Sequence, residues 1–158
     1  MEKKHYLIFL FLLGIDQASK FYIDSTFKLN EHLSIIPNFF RITYTRNEGA
    51  AWSILEGKMV FFYIVSVLAI ILLGYFYKHT KKQEYMSRLG IVFMLSGTIG
   101  NFIDRLQFQY VRDFLDFQIF GYDFPIFNVA DMALCIGVFL VILDVVKEYY
   151  GVKKYERI

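Results

Sequence analysis

The stretch SGTIGNFIDRLQFQYVRDFLDFQIFGYDFPIFNVAD, residues 96–131, threads Asn101, Asp104 and Arg105, then Asp113, then Asn128 and Asp131 through an otherwise apolar run. An ionisable side chain in or beside a spanning helix costs several kcal/mol, roughly 2.5 to 3.5 on insertion scales, unless it faces protein or a wet cavity. Its default meaning is therefore functional. Gly97, Asn101 and Asp104 stand at i, i+4 and i+7, so a small residue and two polar ones share one helical face. Asn128 and Asp131, at i and i+3, are expected to point together into a helix bundle. One such pair alone would pass as polar glue between helices. Two pairs and Asp113 at one depth point to a site instead. Asp116 and Asp123 are expected to be solvated loop residues.

The rest of the chain sets the medium. Its 158 residues are 56% hydrophobic and 20% aromatic, with two prolines, too apolar for an ordinary soluble domain. The expectation is a single all-α membrane domain over residues 1–158, with four transmembrane helices at about 6–24, 59–77, 89–106 and 126–146. Loops 25–58 and 108–125 separate them on one side. A net charge of +2 with no basic stripe excludes a nucleic-acid partner. One cysteine, Cys135, excludes an internal disulfide, and His5, His32 and His79 lack ligand spacing, so no metal or cofactor is implied.

The first apolar segment carries Asp16, Gln17 and Lys20 and lacks a small-residue cleavage site, so it reads as a retained helix. Asp16 and Lys20 are one turn apart, and the plainer expectation is an interfacial ion pair with Lys20 snorkelling to the headgroups. The second span, Met59 to Tyr77, has no acid, base or amide and reads as scaffold. Pro125 fits the start of the fourth helix.

Residues 25–58 have β character. In FFRITYTRN, Arg41, Thr43 and Thr45 alternate with Ile42 and Tyr44, the period of a strand with one apolar face. Asn47, Glu48 and Gly49 then read as a turn, and Ala50 and Ala51 lead to Trp52, a residue suited to the interface. Arg46 and Asn47 either belong to a hairpin lying on the bilayer or aim donors at substrate carbonyls. Chemistry alone leaves both open.

Four spans put both termini on one side. The termini and the 78–88 loop hold ten Lys or Arg, against Lys28, Arg41, Arg46, Lys58 and Arg112 in the other two loops. The positive-inside rule then makes the termini cytoplasmic and places Asp113, Asp131, Asp104 and Arg105 near the outer leaflet.

Two close aspartates cannot both ionise easily, so they share a proton. One acts as base on a water while the protonated one polarises the carbonyl and later protonates the leaving amine. Spacing does not show that Asp113 and Asp131 meet. Cys135, one turn after Asp131 in an apolar helix, is expected to be buried packing, with no histidine near to activate it.

Asp16-Gln17 with Lys20, Arg46-Asn47 with Gly49-Ala50-Ala51, Gly100-Asn101 with Asp104-Arg105, Asp113-Phe114, and Phe127-Asn128 with Ala130-Asp131 occur in that order along nearly the whole chain. In these motifs the sequence resembles the lipoprotein signal peptidases, the signal peptidase II family. The resemblance implies an intramembrane aspartyl endopeptidase of the bacterial cytoplasmic membrane that cuts prolipoproteins before a diacylglyceryl-modified cysteine. It implies four helices with an extracytoplasmic β-cradle at 25–58, and Asp113 and Asp131 as the catalytic dyad. It further implies Asn47, Asn101, Arg105 and Asn128 at the substrate site, and Asp16, Lys20, Arg46 and Asp104 in a supporting polar network. Membrane lipid and globomycin-type inhibitors are the implied partners besides the substrate. Arg112 departs from the family pattern, which commonly has an apolar residue there, and Met132 stands where serine is usual.

A transporter or proton relay would spread its acids through the bilayer depth, whereas here they crowd at one level. A non-catalytic assembly factor would use them only as interhelical glue.

Overall fold

The computed structural model describes residues 1–49, 55 and 57–155, with side chains to residue 150. Four helices are each long and apolar enough to cross a membrane: α1 (Lys3–Thr26), α2 (Met59–His79), α3 (Tyr85–Phe108) and α4 (Val129–Tyr155). The 24 residues of α1 or α3 rise about 36 Å at 1.5 Å per residue, enough for a hydrocarbon core of roughly 30 Å. Most large side chains on α1, α2 and α4 face outward, as lipid-facing surfaces should. Helix α3 is the most enclosed, packed against the other three.

Small residues permit that packing. A Cβ at Gly97 would collide with the carbonyl oxygen of Ala130, and one at Gly100 with the Asp16 carboxylate. Without a hydrophobic drive between helices in lipid, such close approach supplies the contact energy. Here it also brings α1 and α4 within hydrogen-bond reach of the polar face of α3.

The second layer is a four-stranded antiparallel sheet in the order β1 (His32–Ile36), β2 (Phe40–Asn47), β3 (Val111–Ile119), β4 (Tyr122–Asp123). The 108–125 segment, expected to be a loop, contributes β3 and β4, so both connections build the sheet. Its apolar run pairs with β2 through Arg41↔Asp116, Thr45↔Asp113 and Asn47↔Val111. A bulge between Ile42 and Thr45 interrupts the simple alternation and lets Tyr44 turn into a core with Ile23 and Phe114, beneath the sheet. A second core of Leu73, Tyr77, Ile91 and Val92 holds α2 to α3.

Asp116 corrects an expectation. It is 1% exposed, gripped by the Arg41 guanidinium and the Thr43 hydroxyl rather than solvated, because the β2–β3 register sets all three together. Asp123 is exposed, as a hairpin residue beside Gln118. Ala50, Ala51 and Trp52 lie outside the described residues.

Candidate active site

Helix α4 begins at Val129 and not at Pro125, and Asn128 is its cap. The Asn128 side-chain oxygen accepts from Asp131 N at 3.1 Å, while Asp131 Oδ2 accepts from Asn128 N at 3.1 Å. This is a reciprocal capping box, which satisfies two otherwise orphaned donors. Asn128 therefore does not extend a helical face beside Asp131, as the i, i+3 spacing suggested. It sits before the helix with its amide nitrogen free to reach elsewhere. That nitrogen donates to Asp113 Oδ1 at 2.6 Å. One residue thus ties the strand aspartate to the helix aspartate.

The other oxygen of Asp113 accepts from Asn47 Nδ2 at 2.9 Å, across the β2–β3 ladder. Asn47 Oδ1 meanwhile accepts from Gly49 N at 2.9 Å, which makes the expected turn. Asp131 Oδ1 accepts from Asn101 Nδ2 at 2.7 Å. The orientation of that amide is dictated. Asn101 Oδ1 faces Lys20 Nζ at 2.8 Å, and an ammonium only donates, so the NH2 must turn to Asp131.

Lys20 does not snorkel. It is fully buried, bonded to Asp16 Oδ2 at 3.0 Å as well as to Asn101, and 3.7 Å from Asp104. Asp16 Oδ1 accepts from Ala130 N at 2.9 Å, adding a third cap to α4 from another helix. Asp104 is fully buried and gripped by Arg112, whose backbone N, Nε and Nη2 donate to it at 3.0, 3.1 and 2.8 Å.

Arg105 reaches Gly49 O at 3.3 Å and stacks over Phe62, and its Nε has no partner among the described residues. Arg46 turns away, exposed, its guanidinium over the Tyr110 ring and its Nε 3.2 Å from Tyr44 OH.

Asn47, Asn101, Arg105, Asp113 and Asp131 line one cavity of about 510 Å³, closed by Val111, the Phe124–Phe127 segment, Met132 and Cys135. The aromatic and proline wall was not singled out from sequence, although Pro125 among large apolar residues was a visible signal. Gln17 was also passed over as a contact residue. Its Nε2 donates to Asp16, Gly100 O and Asp104. Cys135 is corrected too: it is exposed and lines the cavity instead of packing inside the protein.

Burial raises the Asp113 carboxyl well above the usual carboxylate range, and the nearby Asp131 charge raises it further. Neutral amides are its hydrogen-bond partners, so among the described residues no cation is bonded to it to hold it ionised. Asp113 is suited to carry a proton and Asp131 to share in its transfer.

A polytopic membrane fold with two carboxylates on one apolar-walled cavity defines the class: a membrane enzyme of the aspartic-protease type. The family model described as "Signal peptidase (SPase) II" matches residues 8–147. The chain belongs to the signal peptidase II family. Lipoprotein signal peptidases of Staphylococcus aureus strains bovine RF122 / ET3-1 and JH9 are each 42% identical to it over 161 aligned positions, covering 99% of both chains. Two solved structures described as bacterial membrane enzymes, determined by the in meso method at 2.3 and 1.9 Å, share the fold. The first has a TM-score of 0.88 and 42% identity over 94% of this chain and 90% of its own. The second has a TM-score of 0.84 and 44% identity over 91% and 93%.

Proposed function

We propose that this protein removes the signal peptide from bacterial prolipoproteins, cutting before a diacylglyceryl-modified cysteine, with Asp113 and Asp131 as the catalytic pair. The observation that carries the reading is the Asn128 bridge, which fixes both carboxylates at one cavity. The ionised carboxylate takes a proton from water as the water oxygen bonds to the scissile carbonyl carbon. The protonated partner polarises that carbonyl and then gives its proton to the departing amine. The C–N bond breaks, leaving a carboxylate on the signal peptide and a free amino group on the modified cysteine. Asn47 and Asn101 orient the carboxylates and border the substrate, Asn128, fully buried and off the cavity wall, only orients them, and the Arg105 guanidinium on that wall is a donor for a substrate carbonyl. Asp16, Lys20 and Asp104 hold the helices in register beneath them.

The site lies near the outer leaflet, with both termini in the cytoplasm, a reading supported by the Lys and Arg distribution. An apolar hairpin tip supports an interfacial sheet: Phe120 is fully exposed at a positive φ of 51°, beside exposed Ile119 and Tyr122. Globomycin-type cyclic peptides would occupy the same cavity as the substrate.

Purified protein should cleave a lipidated prolipoprotein, and Asp113→Asn and Asp131→Asn should each lower turnover by at least ~10³-fold while the protein remains folded. Near-normal turnover in either variant would remove that aspartate from the pair. For topology, cysteines at Ser34 and Gln118 in a Cys135→Ala background should be labelled in intact cells by an impermeant reagent. Labelling only after lysis would reverse the orientation.

A further inference from the structure

We propose that Arg112, the residue before the strand aspartate, is a positioning residue that sets both Asp113 and Asp131. This rests on the reading of those two as the catalytic pair. Arg112 is 4% exposed. Its Nε and Nη2 grip the two oxygens of Asp104, its backbone N adds a third bond, Nη2 lies 3.4 Å from Gln17 Oε1, and the guanidinium stacks on Phe108 at 4.6 Å. A bidentate guanidinium–carboxylate pair fixes direction as well as distance.

The first consequence is register. Successive side chains on a strand point to opposite faces, so seating Arg112 against Gln17 of α1 and Asp104 of α3 turns Asp113 toward Asn47 and Asn128. A slip of one residue would exchange them and bring the Asp113 carboxylate to Asp104. The ladder adds a push. Arg112 stands opposite Arg46, a like-charged pair that neither strand favours, and the two side chains separate, Arg46 onto Tyr110 and Arg112 onto Asp104.

The second consequence is charge. Asp16 and Asp104 are both buried, and Lys20 is the other buried cation beside them. With Arg112 on Asp104, Lys20 Nζ sits 3.0 Å from Asp16 and keeps its 2.8 Å bond to Asn101 Oδ1. That bond is what turns Asn101 Nδ2 onto Asp131. Without the guanidinium, Lys20 would face two buried carboxylates alone and be drawn from Asn101 across its present 3.7 Å gap toward Asp104. Arg112 thus reaches Asp113 through the strand and Asp131 through Lys20 and Asn101.

Steady-state kinetics of the purified full chain on a lipidated prolipoprotein, with thermal unfolding in parallel, test this. Arg112→Leu is expected to lower kcat at least ~10-fold with KM within about twofold, and Arg112→Lys to fall between it and the parent. Adding Asp104→Asn to Arg112→Leu removes the charge that would capture Lys20, so kcat should recover by about threefold or more over Arg112→Leu. Loss of packing alone would give no such recovery. An Arg112→Leu enzyme with parental kcat, or a folded double variant no better than the single one, overturns the proposal. If Arg112→Leu does not fold, Arg112→Lys decides: lowered kcat at unchanged KM supports the role, and parental kcat ends it. Failure of the catalytic-pair reading would look different, as turnover surviving Asp113→Asn.

Discussion

The bundle buries polar groups at both ends, and the two clusters solve the problem differently. At the α1 start, His5 is 1% exposed, with Nδ1 2.7 Å from Tyr77 OH, while Arg88 bonds Glu2 at 2.9 Å and lies over the Tyr77 ring. There a charge meets its opposite. At the other end, about 22 Å along α1 at 1.5 Å per residue, Asp113 and Asp131 lean on neutral amides, and neither joins a salt bridge among the described residues. Opposite charges in contact tie a structure together. Like charges held by amides beside a cavity keep a proton available for transfer. Burial of polar groups alone does not mark a site; the way their charge is compensated does.

The largest test of that contrast is Lys20→Met. It leaves Asp16 and Asp104 buried with Arg112 as their remaining cation, so stability should fall by about 3 to 5 kcal/mol, read as a lower thermal midpoint. A midpoint unchanged from the parent would mean that Lys20 is not structural.

Next comes the proton itself. Because burial and Asp131 raise the Asp113 carboxyl, the folded protein retains a proton there at pH values where an unfolded aspartate has lost it. Its contribution to stability is therefore present at low pH and lost as pH rises through the raised value. A protonated-carboxyl infrared band absent from Asp113→Asn should persist above the ordinary aspartate range. In Asp131→Asn its midpoint should move down, since the neighbouring charge is gone. A midpoint at the ordinary value in the parent would refute the raised carboxyl, whose upward direction comes from burial first and from the Asp131 charge second.

At the opposite end, Tyr77→Phe should cost about 1 to 2 kcal/mol, because His5 Nδ1 is left buried without its partner, yet turnover should stay within about twofold. A large loss of turnover in a folded variant would couple the two ends and blur the distinction. The smallest effect is expected at Cys135. Cys135→Ala should keep turnover within about twofold, since a small side chain replaces another at the cavity wall. A bulky thiol reagent should nevertheless inhibit the parent by filling the cavity and leave Cys135→Ala untouched. Inhibition of both would place the reagent elsewhere.

The four spans and the crowding of acids at one level followed from the sequence, because hydropathy and helical spacing are local and lipid tolerates few charges. The strand in FFRITYTRN was likewise visible in its alternation. Contacts between distant segments were not. Asn128 read as a helical residue, and only the N-terminal geometry of α4 makes it a cap whose amide reaches Asp113. Lys20 read as a snorkelling lysine, and only the close approach at Gly100 encloses it. Asp116 and Arg112 read as loop residues until β3 was paired to β2 and docked on Asp104. Spacing along the chain fixes which side chains share a face. Which faces meet depends on packing and strand register among residues far apart in sequence, and those decided how the two aspartates are held.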